Sequence, residues 1–412
     1  MLAINGGKPT RTKPFPNPQR FEGNELRYLE EALKQNTLFY YAGNFVKRFT
    51  QTFAEMYDMK HCVAASSCTA AIHSALAGLE IGPGDEVIVS PITDMGGVIG
   101  VIALSATAIF ADVDPFTLNM TADSIRAVVT ERTKAILITH LAGNPCEMDE
   151  IVALAKEKGL YLVEDCAQAY GTFYKGQRVG TFGDIGCFST NEFKHISTGD
   201  GGMCLTNDAA LARKIQLFTD KGYNRSAGTI EGLRSVERMC LNYRMTELQG
   251  AVGLAQLEKL NFITSSTTAL GAQLSKELSG IRGLQPPKVM EHNICSYWLY
   301  ILWLDLNEFP CDIHRFTDAL AAEGIEASAG YIGRPVYEYD LFVNNNFYPG
   351  KNCPHGCLNY PQHVKYERGL CPVAEKSLEN ITMLKINFGY GMEDILDIAA
   401  AVRKVCDNRD QL

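Results

Sequence analysis

Between about residue 24 and residue 260 the chain alternates two textures, and this alternation restricts the possible folds more than any other feature. Short apolar runs recur at Val87–Val89, Ala108–Val113, Ala135–Thr139, Tyr161–Val163, Ile185–Ser189 and Met203–Leu205. Stretches with apolar residues three and four apart lie before or between them: Glu25–Lys34, Asn44–Tyr57, Thr69–Leu79, Asp149–Lys158 and Asp208–Phe218. The runs lack polar–apolar alternation, which suits strands buried on both faces. Helices between such strands imply right-handed crossovers and a largely parallel sheet. A long helix is expected from Thr246 to about Leu278, leading into a smaller C-terminal α/β unit. Strands at Tyr297–Leu304 and Leu384–Asn387 and a last helix at Glu393–Val405 are expected there. The expected division is 1–260 for an N-terminal segment with the large domain and 261–412 for the small one. In such sheets ligands bind beyond the carboxyl ends of the strands.

Composition removes several function classes. With 46 % hydrophobic and 21 % charged residues the chain is an ordinary globular one. A net charge of −9 argues against nucleic acid or an anionic membrane surface as a partner. No apolar run reaches the length of a membrane span, and the start MLAINGGKPTRTKP lacks the apolar centre of a signal peptide. The thirteen cysteines are scattered without a repeating interval, as for reduced thiols in a cytoplasm. The tightest pair, Cys353-Pro-His-Gly-Cys357, has no second ligand pair at regular spacing, so no metal is expected and the stretch reads as a turn.

Three pieces carry chemistry. An apolar strand at Tyr161–Val163 runs into Glu164 and Asp165 at the sheet end where ligands bind, although a helix cap by Asp165 would use the same letters. Lys194 is followed by Gly199, Gly201 and Gly202, a spacing unlike the phosphate loop of nucleotide hydrolases. The stretch Ser66-Ser-Cys-Thr69 offers hydroxyls and free N–H groups at a helix start, a seat for phosphate or an ordinary cap. A lysine able to form an imine, an aspartate at a strand end and a small-hydroxyl helix start are together what a pyridoxal phosphate site needs.

The order and spacing of these pieces resemble the DegT/StrS-type sugar and cyclitol aminotransferases, which have the aspartate-aminotransferase fold (fold type I). The resemblance runs through Leu2–Arg11, Gly82–Val89, Ala111–Pro115, Val163–Asp165, Gly183–Ser189, Thr198–Gly202, Leu241–Glu247 and Cys371–Glu375. It implies an α/β fold, a pyridoxal 5′-phosphate cofactor and a homodimer. It places Lys194 as the Schiff-base lysine and Asp165 as the partner of the pyridine nitrogen. Gln168 falls where the family binds the cofactor's 3-oxygen, Cys68, Thr69 and Ser189 where it binds phosphate, and Asn242 where the neighbouring subunit reaches that phosphate.

The sequence departs from the family's pattern at two positions. Cys68 replaces a glycine, and Asp94 stands where an aromatic ring usually stacks on the cofactor. The implied activity is transfer of an amino group from L-glutamate or L-glutamine to a keto-sugar, free or nucleotide-linked, or a keto-cyclitol. Dehydration or elimination on a sugar, and a non-catalytic regulatory role, are the alternatives. Phe39–Gly43, Lys221–Arg238 and Tyr331–Tyr337 are the loops expected to meet the acceptor, and His195 is a further residue of interest.

Overall fold

The computed structural model describes residues 1–348 and 364–412; the Cys353–Cys357 pair lies outside the described residues. Seven strands form the larger sheet: β1 (His61–Ala65), β2 (Glu86–Val89), β3 (Thr107–Phe110), β4 (Thr133–Thr139), β5 (Tyr161–Asp165), β8 (Ile185–Ser189) and β9 (Gly202–Thr206). Between β5 and β8 lies a hairpin of β6 (Phe173–Tyr174) and β7 (Gln177–Arg178). The sheet order is β1-β9-β8-β5-β4-β2-β3. Pairing is parallel from β8 through β3, and β9 is antiparallel to both its neighbours. Because β9 is reversed against both β1 and β8, those two point the same way. Six carboxyl ends therefore gather on one edge.

Each expected helix and apolar run of the first 260 residues corresponds to an observed element, with ends shifted by a few residues. The long helix is Glu247–Leu278, so residues 260 and 261 lie inside one continuous helix. The second sheet contains β10 (Leu284–Gln285), β11 (Tyr300–Leu304), β12 (Ala327–Ala329) and β13 (Ile381–Leu384), in the order β10-β11-β13-β12. The strand expected at Leu384–Asn387 instead ends at Leu384, and Lys385–Phe388 turn towards the larger sheet to line a cavity. Pairing to β11 and β12 stops at Leu384, which ends the strand there.

Two apolar cores are present, and chain order does not divide them cleanly. Leu2, near the amino terminus, packs into the core of the second sheet. Arg11 is buried there, held by Asp394 and Asp397 at 2.8 Å each and stacked over Phe15. Conversely Val336, Tyr337, Phe342 and Cys371 belong to the core of the larger sheet. The Asp112 carboxylate after β3 accepts the backbone N–H groups of Val373 and Ala374, at 3.0 and 2.9 Å, and so caps helix Pro372–Glu379. In the same way the buried Glu247 carboxylate accepts the Phe45 and Val46 N–H groups at the start of helix Phe45–Met56. These acids satisfy helix-end donors that have no partner within the helix.

No helix among the described residues is long and apolar enough to cross a membrane. The described cysteines are free thiols.

Candidate active site

A cavity of about 880 Å³ opens at the gathered carboxyl ends, between the two sheets. Lys194, Asp165, Gln168, Cys68, Thr69, Ser189 and Asp94 all line it. Asn242 does not: it is exposed, and its backbone forms an isolated bridge to Asp220.

The local sequence explains how each piece is placed. Asp165 is the last residue of β5 and is buried, with its Oδ1 accepting the Ala167 N–H at 3.0 Å. Burial pushes its pKa up, against the pull of that N–H, Lys194 and His140. Among the described residues no ion pair satisfies it. The neighbouring Glu164 serves the scaffold, accepting N–H groups from Gly180, Phe182 and Gly183 and pairing with His140 Nε2 at 3.0 Å. With Cys166 it forms a buried His–Glu–Cys cluster of metal-binding residue types, but its carboxylate oxygens and both ring nitrogens of His140 are already engaged by protein groups.

After β1, Ser67 caps helix Cys68–Gly78, its Oγ accepting the Ala70 N–H at 3.0 Å. The cap therefore lies two residues before Thr69, and among the described residues the Cys68 and Thr69 N–H groups keep no protein partner. This is the arrangement of an anion seat at a helix start. Gly202 makes the close approach possible: a Cβ there would lie 2.3 Å from the Ser67 carbonyl oxygen.

Lys194 lies on the loop after β8. Burial lowers its pKa, opposed by Asp165, Cys68 and Asp94. Its Nζ is 4.2 Å from the centre of the Trp298 ring, whose Nε1 donates to the Phe193 carbonyl at 2.8 Å. Trp298 escaped sequence reasoning because Tyr297–Leu304 reads as one strand. In the structure Tyr297 adopts a left-handed backbone (φ 48°) and the strand starts only at Tyr300.

Gln168 is buried and doubly tied: its Oε1 accepts the Ala142 N–H at 2.7 Å and its Nε2 donates to the Tyr331 hydroxyl at 2.7 Å. One amide hydrogen remains for a ligand. Of the three expected acceptor loops, only the third reaches this cavity, through Tyr331. The other two meet each other, with Tyr40 and Arg225 both bound to Asp220 at 2.7 Å.

Asp94 caps the short turn Met95–Gly97, accepting the Gly96 N–H at 2.8 Å. That turn is tightly packed: a Cβ on Gly97 would meet Thr93 Oγ1 at 2.9 Å and Asp165 Oδ2 at 3.3 Å. Gly97→Ala should displace Thr93 or the Asp165 carboxylate, which a crystal structure of the variant would show. An unmoved carboxylate would show that Asp165 tolerates the added methyl.

A lysine amine, a buried unpaired carboxylate and a helix start with open N–H groups thus share one cavity. The model of the DegT/DnrJ/EryC1/StrS aminotransferase family matches residues 19–367. The chain belongs to this family. GDP-perosamine synthase of Escherichia coli O157:H7 is 37 % identical over 368 residues, 88 % of this chain and 94 % of that protein. L-glutamine:2-deoxy-scyllo-inosose aminotransferase of Streptomyces kanamyceticus is 32 % identical over 426 residues, 99 % of this chain and 97 % of that protein. An aminotransferase from Psychrobacter cryohalolentis superposes with a TM-score of 0.85 at 31 % identity, covering 97 % of this chain and all of that one. This family member is an enzyme of the aminotransferase class with the α/β fold expected from its sequence.

Proposed function

We propose that this aminotransferase uses pyridoxal 5′-phosphate and moves an amino group from L-glutamine or L-glutamate to the ketone of a sugar, free or nucleotide-linked, or of a cyclitol. One observation carries this reading: the Lys194 amine and the buried Asp165 carboxylate line a single cavity with the open helix start at Ser67–Thr69. One named relative is a synthase of a GDP-linked sugar and the other an L-glutamine-dependent aminotransferase of a keto-cyclitol, which supports the acceptor class.

The residues present fit the cofactor. Among the described residues Asp165 has no cation of its own, and it would hold a protonated ring nitrogen; the Cys68 and Thr69 N–H groups with the Thr69 and Ser189 hydroxyls would hold a phosphate; Gln168 has one amide hydrogen left for a phenolate. When bound, the cofactor supplies an aldehyde for the lysine and a ring that accepts electrons from the breaking bond. Burial makes the Lys194 amine easier to deprotonate, which suits it first to nucleophilic attack and then to carrying the proton of the donor α-carbon. Asp165, kept from water, stabilises positive charge opposite it more strongly than an exposed carboxylate would. No observation favours the dehydratase, elimination or regulatory alternatives.

Donor amino acid added to the loaded protein should bleach its visible absorbance, and a keto-sugar or inosose should restore it. A coloured protein that no amino donor alters would overturn the reading.

A homodimer in the cytoplasm completes the proposal. Asn242 is exposed and lies outside the cavity of its own chain, and the apolar Tyr41, Ile230 and Met239 are also exposed, at 54, 75 and 77 %. Apolar residues so exposed fit a subunit interface that would carry Asn242 to the partner's phosphate seat. Sedimentation equilibrium should give twice the chain mass; a monomer with full activity would remove this part.

A further inference from the structure

Lys194 shares its cavity with two carboxylates, Asp165 and Asp94, yet among the described residues its amine forms no ion pair with either. The amine rests instead against an aromatic face, with Nζ 4.2 Å from the centre of the Trp298 ring. At that distance an ammonium group is attracted by the electron-rich face of an indole, and more strongly where water is sparse.

The ring is held in place from two directions. Its Nε1 donates to the Phe193 carbonyl at 2.8 Å, so one indole grips the backbone just before the lysine and also meets the amine at its end. The Trp298 N–H donates to the Ala142 carbonyl and the Ser296 N–H to the Gly143 carbonyl, each at 3.0 Å. Between them Tyr297 keeps a left-handed backbone (φ 48°), which a bulky residue adopts only where its surroundings impose it. The Tyr297 ring lies against Gly271, where a Cβ would come within 2.4 Å of it. The lysine backbone is fixed too: the Lys194 N–H donates to the Asn191 carbonyl at 3.0 Å, and the Lys194 carbonyl accepts from Arg20 Nη2 at 2.8 Å. With both backbones pinned, the lysine side chain is left as the moving part.

This placement avoids a conflict of charge. An ammonium paired with Asp165 would occupy the carboxylate that is to face a protonated ring nitrogen. Asp165, Cys68 and Asp94 favour the charged amine, against the burial that lowers its pKa. On the backbone side Arg20 is the nearby cation, and His195, next in sequence, is kept neutral by burial, its pKa held down to about 4. An aromatic face takes up a positive charge without consuming a carboxylate.

We infer that Trp298 is the positioning residue for the reactive amine: its face holds the Lys194 ammonium whenever the amine is not bonded elsewhere, and so leaves Asp165 unpaired. The duty rests on the aminotransfer reading proposed above; the contact does not. An amine that has taken the α-proton of the donor is such an ammonium, and a ring that stabilises it favours that transfer. Because the ammonium takes the ring in preference to either carboxylate, removing the ring can only lower the proton affinity of the amine.

Two variants of the full chain separate the face of the ring from its hydrogen bond, with thermal melting as the check on folding. Trp298→Leu removes both; Trp298→Phe keeps a face and loses the donor. On cofactor-free protein, the pKa of the Lys194 amine is read from the pH dependence of its acetylation by trace acetic anhydride, located by peptide mass measurement. Trp298→Leu should lower it by about one unit and Trp298→Phe by clearly less. On cofactor-loaded protein, Trp298→Leu should slow the limiting rate of bleaching by L-glutamine about tenfold while the apparent affinity changes much less, and Trp298→Phe should fall between. If the leucine variant melts far below wild type, Trp298→Met carries the same prediction. An unchanged or raised pKa without the ring would overturn the inference, since the ammonium would then have an equal or better partner. Equal losses in the leucine and phenylalanine variants would also overturn it, by placing the effect in the Phe193 hydrogen bond. If wild type responds to no amino donor, the aminotransfer reading itself fails, whereas the acetylation measurement still decides the contact.

Discussion

Lys194→Ala should lower turnover by at least about three orders of magnitude while the protein folds and retains a compact, thermally cooperative structure. The size of the effect follows from two duties carried by one amine, nucleophile and proton carrier, while the other lysine lining the cavity, Lys385, is held by Glu326. The fold should tolerate the change because Lys194 Nζ makes no ion pair among the described residues, and its contact with the Trp298 ring is a modest one. Borohydride reduction followed by mass measurement separates the duties. Wild type should gain the mass of a reduced cofactor adduct, and the alanine variant none. An adduct retained by the variant would move the nucleophile elsewhere.

Asp165→Ala should cut turnover by about 10²- to 10³-fold, the range seen when one preorganised electrostatic partner is removed from a buried site. The carboxylate sits at the end of β5, buried and, among the described residues, without a cation of its own, so its field on a ligand is weakly screened. Burial also raises its pKa. The part of the activity that needs a charged carboxylate should therefore fade, as the pH is lowered, sooner than for an exposed aspartate; in Asp165→Ala that acid limb should be absent. Steady-state rates from neutral to acid pH, taken on both proteins, would show it. A variant within a few fold of wild type would remove Asp165 from the chemistry.

Much of the large sheet was legible because its strands are short apolar runs separated by helices, a pattern that depends on local letters alone. The small unit was less so. β13 begins at Ile381 and ends at Leu384, and the apolar Ile386 and Phe388 beyond it serve a cavity wall rather than a ladder. Periodicity cannot separate those two uses. At the site, Lys194, Asp165 and Thr69 were singled out from the residues themselves and Ser189 from the family resemblance, and all four line one cavity. Trp298, Tyr331 as a partner of Gln168, and Arg20 come from segments distant in sequence, and no local pattern marks them. Several acids within the family's motifs serve the framework: Asp112, Glu164 and Glu247 each bind backbone N–H groups at helix starts or turns. Spacing alone gives such residues the look of catalytic ones.

The Asp112 cap on helix Pro372–Glu379, with Tyr337 and Phe342 packed against Phe110, has a consequence for biogenesis. The outer strand of the first half is covered by residues synthesised more than two hundred positions later. A ribosome-bound fragment ending near residue 260 would display that strand's apolar flank, with Asp112 unemployed, and the half-made protein would depend on sequestration until its tail emerged.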